Sequence, residues 1–217
     1  MSAKETAKRY ILFIFGLFFI GFGIAFTKHA ELGVSTVSAV ANVISIKFDF
    51  ISFGTWLFIS NCFLLLGQII ILRKDFQLIQ LLQIPLSFLF GYFTDFGLWL
   101  ISLLPNDAYW IQLILVAVGV FVLGFGITLG VIANVIQNSA EAFVKAISDV
   151  SKKDFSNVKI AFDVIWVIIA VILSLILFSG TVEGVREGTI ISAIFVGIVV
   201  KIFRPILSKP LNKILTK

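Results

Sequence analysis

Six polar residues stand where they can meet a solute in an otherwise apolar chain: Ser35, Asn61, Gln83, Asp95, Asn138 and Asp163. Asp163 opens an apolar run four residues after Lys159, and Asn61 takes the corresponding place in an earlier run with an amide in place of the carboxylate. A carboxylate so placed can carry a proton or a coupled cation. It can equally pair with Lys159 at i−4 near a membrane interface. Asp95 lies well inside another run, where a charge at mid-bilayer costs about 2.5–3.5 kcal/mol on insertion scales and so faces a cavity or another helix. Gln83 stands with Gln80 and Pro85 at the start of that run. Proline removes a backbone donor and kinks a helix, which predicts a freed carbonyl that a neighbour or a solute must satisfy.

Ser35 and Asn138 each open a short amphipathic segment. Ser35, Ser38, Asn42 and Ser45 form one helical stripe, and Asn138, Glu141, Lys145 and Ser148 form its counterpart, with apolar residues opposite. Two placements fit. The helices can lie in the membrane interface, apolar face to the acyl chains. They can instead dip back between spans, capped by Ser35 or Asn138, with unpaired N–H groups aimed at a solute carboxylate or phosphate.

Enzyme chemistry finds no footing. His29 is the sole histidine, and no nucleophile, base and orienting group recur in a recognisable arrangement. GFGIAF is no dinucleotide fingerprint, because no third glycine follows in register and no strand precedes it. Cys62 is the single cysteine, so neither a disulfide framework nor a cysteine metal site can form within one chain. No cofactor or metal is expected.

The elements that must position these residues are membrane spans. Hydrophobic residues make up 59% of the chain and charged ones 13%, about half the share of an ordinary soluble domain. Apolar runs cover Tyr10 to Lys28, Phe53 to Leu72, Leu78 to Leu104, Tyr109 to Ala133, Ile160 to Ser179 and Gly188 to Phe203. Most reach the roughly 20 residues that cross a hydrocarbon core. With the N-terminus in the cytoplasm, fourteen of the 17 Lys and Arg residues collect on that side, leaving Lys28, Lys47 and Arg186 outside. The basicity is therefore topogenic, and nucleic acid is rejected as a partner.

The chain also repeats. Gly16, Gly21 and Gly23 have the spacing of Gly119, Gly124 and Gly126, and VSTVSAVANVIS over 34–45 lies in the same register over QNSAEAFVKAIS at 137–148. The glycines read as helix-packing positions, since a spacing of seven keeps two of each trio on one face. Each half then holds a span, a short helix and two more spans. Three is odd, so the second copy enters the membrane from the opposite side.

The expected fold is an all-α membrane protein: a single membrane domain over 1–217, with about six transmembrane helices as two inverted three-helix repeats, about 10–104 and about 109–207, both termini cytoplasmic. Inverted repeats suit alternating access, which predicts a small-solute secondary transporter or permease with its site between the halves. A passive channel shares that symmetry. An accessory or scaffold protein, the reading from a different class, predicts a co-purifying partner instead. The expected partners are the lipid bilayer and a small solute with an anionic group, and a homodimer is compatible with a 24.0 kDa chain.

The stretches RYILFIFGLFFIGFGIAF and AELGVS, FQLIQLLQIPLSFLFGYFTDF over 76–96, then EAFVKAIS, KIAFDV and VREGTI resemble the YczE/YitT family of bacterial membrane proteins. The likeness spans nearly the whole chain and lies closer to the YczE branch. It implies a multi-pass protein of the bacterial cell membrane and supplies no established substrate or catalytic residue.

Overall fold

The computed structural model describes residues 2–216, and every regular element among them is helical. Six helices are long and apolar enough to cross a membrane: α1 (Ala3–His29), α3 (Phe53–Leu72), α4 (Gln83–Ile101), α5 (Tyr109–Ala133), α7 (Phe155–Leu177) and α8 (Glu187–Leu215). Short helices α2 (Ala39–Lys47) and α6 (Ser139–Ser151) follow α1 and α5.

Several boundaries differ from the apolar runs because caps and ion pairs, not hydrophobicity, set them. Ser2 accepts from Glu5 N at 3.2 Å and Glu5 pairs with Arg9 at 2.9 Å, which starts α1 a full turn and more before Tyr10. Asp154 accepts from Ser156 N at 2.9 Å and starts α7 at Phe155 rather than Ile160. The last helix continues through Pro205 and Pro210 to Leu215, well past Phe203. Apolar length limits what lies in lipid, not how far a helix runs beyond it. The expected kink at Pro85 is absent: the run breaks into a 3-10 turn over Leu78–Leu82, and Pro85 falls in the first turn of α4. There its missing N–H would have had no intrahelical partner anyway.

The core is an antiparallel seam between α1 and α5. A Cβ on Gly16 would stand 3.0 Å from the carbonyl oxygen of Gly126, and one on Gly126 2.8 Å from that of Gly16. One on Gly119 would stand 2.8 Å from Gly23 O, and one on Gly23 2.7 Å from Leu123 Cα. Glycine is needed there because backbone meets backbone. Around the seam Phe13, Leu17, Ile20 and Leu123 are buried together, and Arg9 closes it by donating to Ile132 O and Ala133 O at the end of α5. The remaining helices pair in a reciprocal order: α4 packs on α1 as α8 does on α5, while α6 lies against α3 as α2 does against α7. Gly21 faces Phe93 and Thr94 of α4, and Gly124 faces Val196 and Val199 of α8.

Call the end of the bundle that holds the start of α1 the near end. At the far end the chain turns back through Gly33, whose φ of +96° a side chain would rarely adopt. It re-enters the bundle. Trp166, halfway along α7, donates its indole N–H to Val37 O at 3.0 Å. From there α2 climbs outward again until Lys47 sits over the Phe178 ring. Its apolar residues Ala39, Val40 and Val43 are buried against Ala170, Trp166 and Leu173. Helix α6 does the same from the near end: Ser139 meets Ser87 of α4 at 3.2 Å, while Ala140 and Val144 pack with Leu64, Val158 and Phe162. The apolar faces of both short helices therefore meet protein, and of the two placements open to the sequence the one between the spans is the one adopted.

Candidate functional site

Where the two short helices begin, the long helices part around a cavity of about 740 Å³. Phe13, Leu17 and Ile20 of α1 with Leu123 and Ile127 of α5 make its apolar wall. Ser35, Asn61, Asn138 and Asp163, four of the six residues singled out by sequence, lie in its lining. The tertiary fold brings them together from four separate elements.

Each is held by local chemistry. Asn138 is the N-cap of α6, its Oδ1 accepting from Ser139 N at 2.8 Å and its carbonyl from Ala142 N at 2.9 Å. Ser35 precedes a single 3-10 turn over Thr36–Ser38 and makes no cap to its backbone; its hydroxyl lies 3.0 Å from that of Ser38 instead. The capping expected of Ser35 is thus a side-chain contact, because the 3-10 turn already satisfies Ser38 N through Ser35 O at 3.0 Å. Asn61 is 5% exposed on α3. Asp163 receives the Lys159 ammonium at 2.5 and 2.6 Å and the Thr36 hydroxyl at 3.2 Å, so the i−4 pairing forms inside the cavity wall.

Gln83 and Asp95 stand outside that lining, Gln83 in a small adjoining pocket that shares Gln137 and Asn138 with it. Gln83 donates to Gln68 Oε1 at 3.2 Å, and Gln68 donates to Gln80 at 2.5 Å, so this chain of amides ties the start of α4 to α3. The oxygen of Gln83 is buried without a partner. Asp95 accepts from Gly54 N at 2.7 Å, fastening α4 to the first turn of α3 where Gly54 and Gly91 meet backbone to backbone. Of its two expected roles, the structure gives Asp95 the helix contact.

Residues 7–205 match a family of unknown function, DUF6198. This chain belongs to DUF6198. No curated protein and no solved structure matches it.

In this DUF6198 chain the fold adds cavity residues that the sequence did not single out as a site: Glu141, Lys159, Thr36, Ser60 and Ser192. Glu141 had a sequence signal, because it falls three residues after Asn138 at the spacing of a capping box. Burial raises its carboxyl above the ordinary value; Lys159 works against that shift and Asp163 with it. Ser192 had none. It is 2% exposed and its hydroxyl has no partner.

One seam breaks the reciprocal packing. Helices α3 and α4 are zipped together, whereas α8 rests on α5 and more thinly on α1, with no packed seam to α7. Gly91 lies on the Gly54 backbone, while Gly197 faces open space in the cavity wall together with Ser156. The cavity is open on that flank. A second polar cluster sits toward the far end, where Lys28 donates to Asn42 at 2.6 Å and to Ser45 at 3.2 Å, and Asn42 donates to Gly184 O at 2.7 Å. This network takes up Asn42 and Ser45, the outer half of the first polar stripe, as scaffolding.

Proposed function

We propose that this DUF6198 protein is a permease for a small polar solute, built from two inverted repeats that alternate access to the cavity between them. The observation that carries the reading is the convergence of α2 and α6, which begin from opposite ends of the bundle at one polar cavity of about 740 Å³, large enough for a metabolite. The reciprocal glycine contacts of α1 and α5 support the repeat, since Gly16 on Gly126 and Gly119 on Gly23 exchange under a two-fold operation. The Lys and Arg asymmetry supports cytoplasmic termini in a bacterial cell membrane. Kinship with the YczE/YitT proteins is proposed on the motif stretches alone.

Alternation follows from the unequal seams. With α3–α4 closed and α7–α8 open, the halves hold different states; exchanging them closes Gly197 toward Ser156 and opens Gly91 from Gly54. Purified protein in sealed vesicles should take up a solute from a metabolite panel, and Asn61→Ala and Asp163→Ala should each slow uptake about tenfold or more, the loss of one good polar contact. Vesicles that move nothing, with both variants neutral for every cellular phenotype, would overturn the reading. A protein co-purifying along the open flank of α8 would instead favour the scaffold.

A further inference from the structure

The charges of the cavity do not match the anionic solute that exposed helix N-termini would favour. Each N-terminus is already answered from within the chain. At α6, Asn138 Oδ1 holds Ser139 N and Glu141 stands in the first turn, the position where a carboxylate best complements the positive end of a helix. At the 3-10 turn before α2, Ser38 N is bonded to Ser35 O at 3.0 Å and Ala39 N to Thr36 O. Three charged groups remain in the lining: Lys159, Asp163 and Glu141. Lys159 and Asp163 neutralise one another through the bonds at 2.5 and 2.6 Å. No salt bridge among the described residues reaches Glu141.

The cavity lining supplies no further charge, and Lys145, one turn on along α6, is exposed and lies outside it. From α7 Glu141 meets Lys159 and Asp163, the two groups that act on it. From α3 the lining gives Leu57, Ser60, Asn61 and Leu64, from α4 Phe90, and from the segment before α6 Asn134 and Gln137. The site is therefore one negative charge in excess whenever Glu141 is ionised. A half-buried carboxylate with no ion-pair partner, set in a largely apolar cavity, takes up either a proton or a cation. Ser192, a 2% exposed residue of the same lining, also has a hydroxyl left without a partner. A primary ammonium offers three donors, for which Glu141 and Asn61 supply acceptors on helices packed against each other, while the wall of α1 and α5 covers a short hydrocarbon body.

We propose that the cavity binds a small organic amine in its cationic form with Glu141 as counter-ion, and that the same carboxyl carries a proton when the amine is absent. Binding one ammonium then releases one proton from Glu141 to water. The inference rests on the permease reading for its role in transport, but binding is measured without flux. The raised carboxyl is consistent with it, since a group that holds its proton in the empty state exchanges it only when a better-placed cation arrives.

The test compares butylammonium with butyrate and inorganic phosphate, each at millimolar concentration, as ligands of the detergent-solubilised full chain followed by thermal unfolding across a pH series. Butylammonium should raise the midpoint of wild type, and below the carboxyl's own pKa its apparent affinity should weaken about tenfold per pH unit. The isosteric Glu141→Gln should lose both the shift and its pH dependence, while Glu141→Asp keeps part of each. A midpoint for E141Q close to wild type without ligand shows that the variant is folded. Stabilisation by butyrate or phosphate instead would overturn the cationic class and leave the permease standing. An equal butylammonium shift in E141Q would remove Glu141 as the counter-ion. No shift with any probe would also sink the inference, and vesicle uptake would then judge the permease separately.

Discussion

Gly23→Ala adds one methyl to the most tightly packed point of the α1–α5 seam. The new carbon would lie 2.5 Å from Leu123 N, 2.7 Å from its Cα and 2.7 Å from its Cβ. Backbone cannot rotate aside as a side chain can. Restoring the 3.4 Å of ordinary contact requires α1 and α5 to part by about 0.9 Å, the difference of those two distances. Overpacking of this kind costs about 1–3 kcal/mol. At roughly 2–4 °C per kcal/mol for a chain of this size, the midpoint should fall by about 2–12 °C. Gly197→Ala is the control: its added carbon meets nothing within 4 Å, and alanine in a helix gains about 0.5–1 kcal/mol over glycine. Its midpoint should hold or rise slightly. The four tryptophans make intrinsic fluorescence of the detergent-solubilised protein a direct readout. Equal midpoints for the two variants would refute the claim that the seam, and not glycine content in general, sets the packing.

Asp95→Ala should lower the midpoint, because Gly54 N loses its acceptor at a cost of about 1–3 kcal/mol, yet leave ligand shifts intact since Asp95 lies outside the cavity lining. A changed ligand response would put Asp95 back in the site. Trp166→Phe removes the bond to Val37 O and should cost about 0.5–1.5 kcal/mol, with faster hydrogen exchange over residues 36–47 than elsewhere. A cysteine pair made by Ser156→Cys and Gly197→Cys, in a Cys62→Ala background, should cross-link under mild oxidation and stop uptake; a cross-linked protein with normal uptake would refute closure of α8 onto α7. A carboxyl whose folded value is raised stabilises the fold at low pH, and that contribution disappears as pH rises from the ordinary carboxylate value through the raised one. The midpoint of wild type should accordingly fall across that window, and the Glu141→Gln profile should be flat there.

Sequence by itself determined the helical class and the number of apolar helices, because lipid demands about 20 apolar residues per span and internal satisfaction of every backbone group. It also marked the glycine trios, since close helix approach leaves a trace in residue size at fixed spacing. Its polar stripes named Ser35 and Asn138, and matching polar positions in two apolar runs named Asn61 and Asp163; all four share one cavity. It read Pro85 as a kink, Gln83 as a solute contact and Asp95 as a cavity or helix-contact residue, and there the local pattern was silent about which neighbour takes each polar group. Gln68 takes Gln83, Gly54 takes Asp95, and a helix start removes the consequence of Pro85. Tertiary structure alone decided that α2 and α6 turn inward, that Glu141 lies in the cavity beside the Lys159–Asp163 pair with no ion-pair partner of its own, and that the α7–α8 seam stays open while α3–α4 closes. The physical reason is that periodicity records which face of a helix is apolar, whereas charge pairing and cavity shape depend on contacts between residues more than a hundred positions apart, as between Thr36 and Asp163.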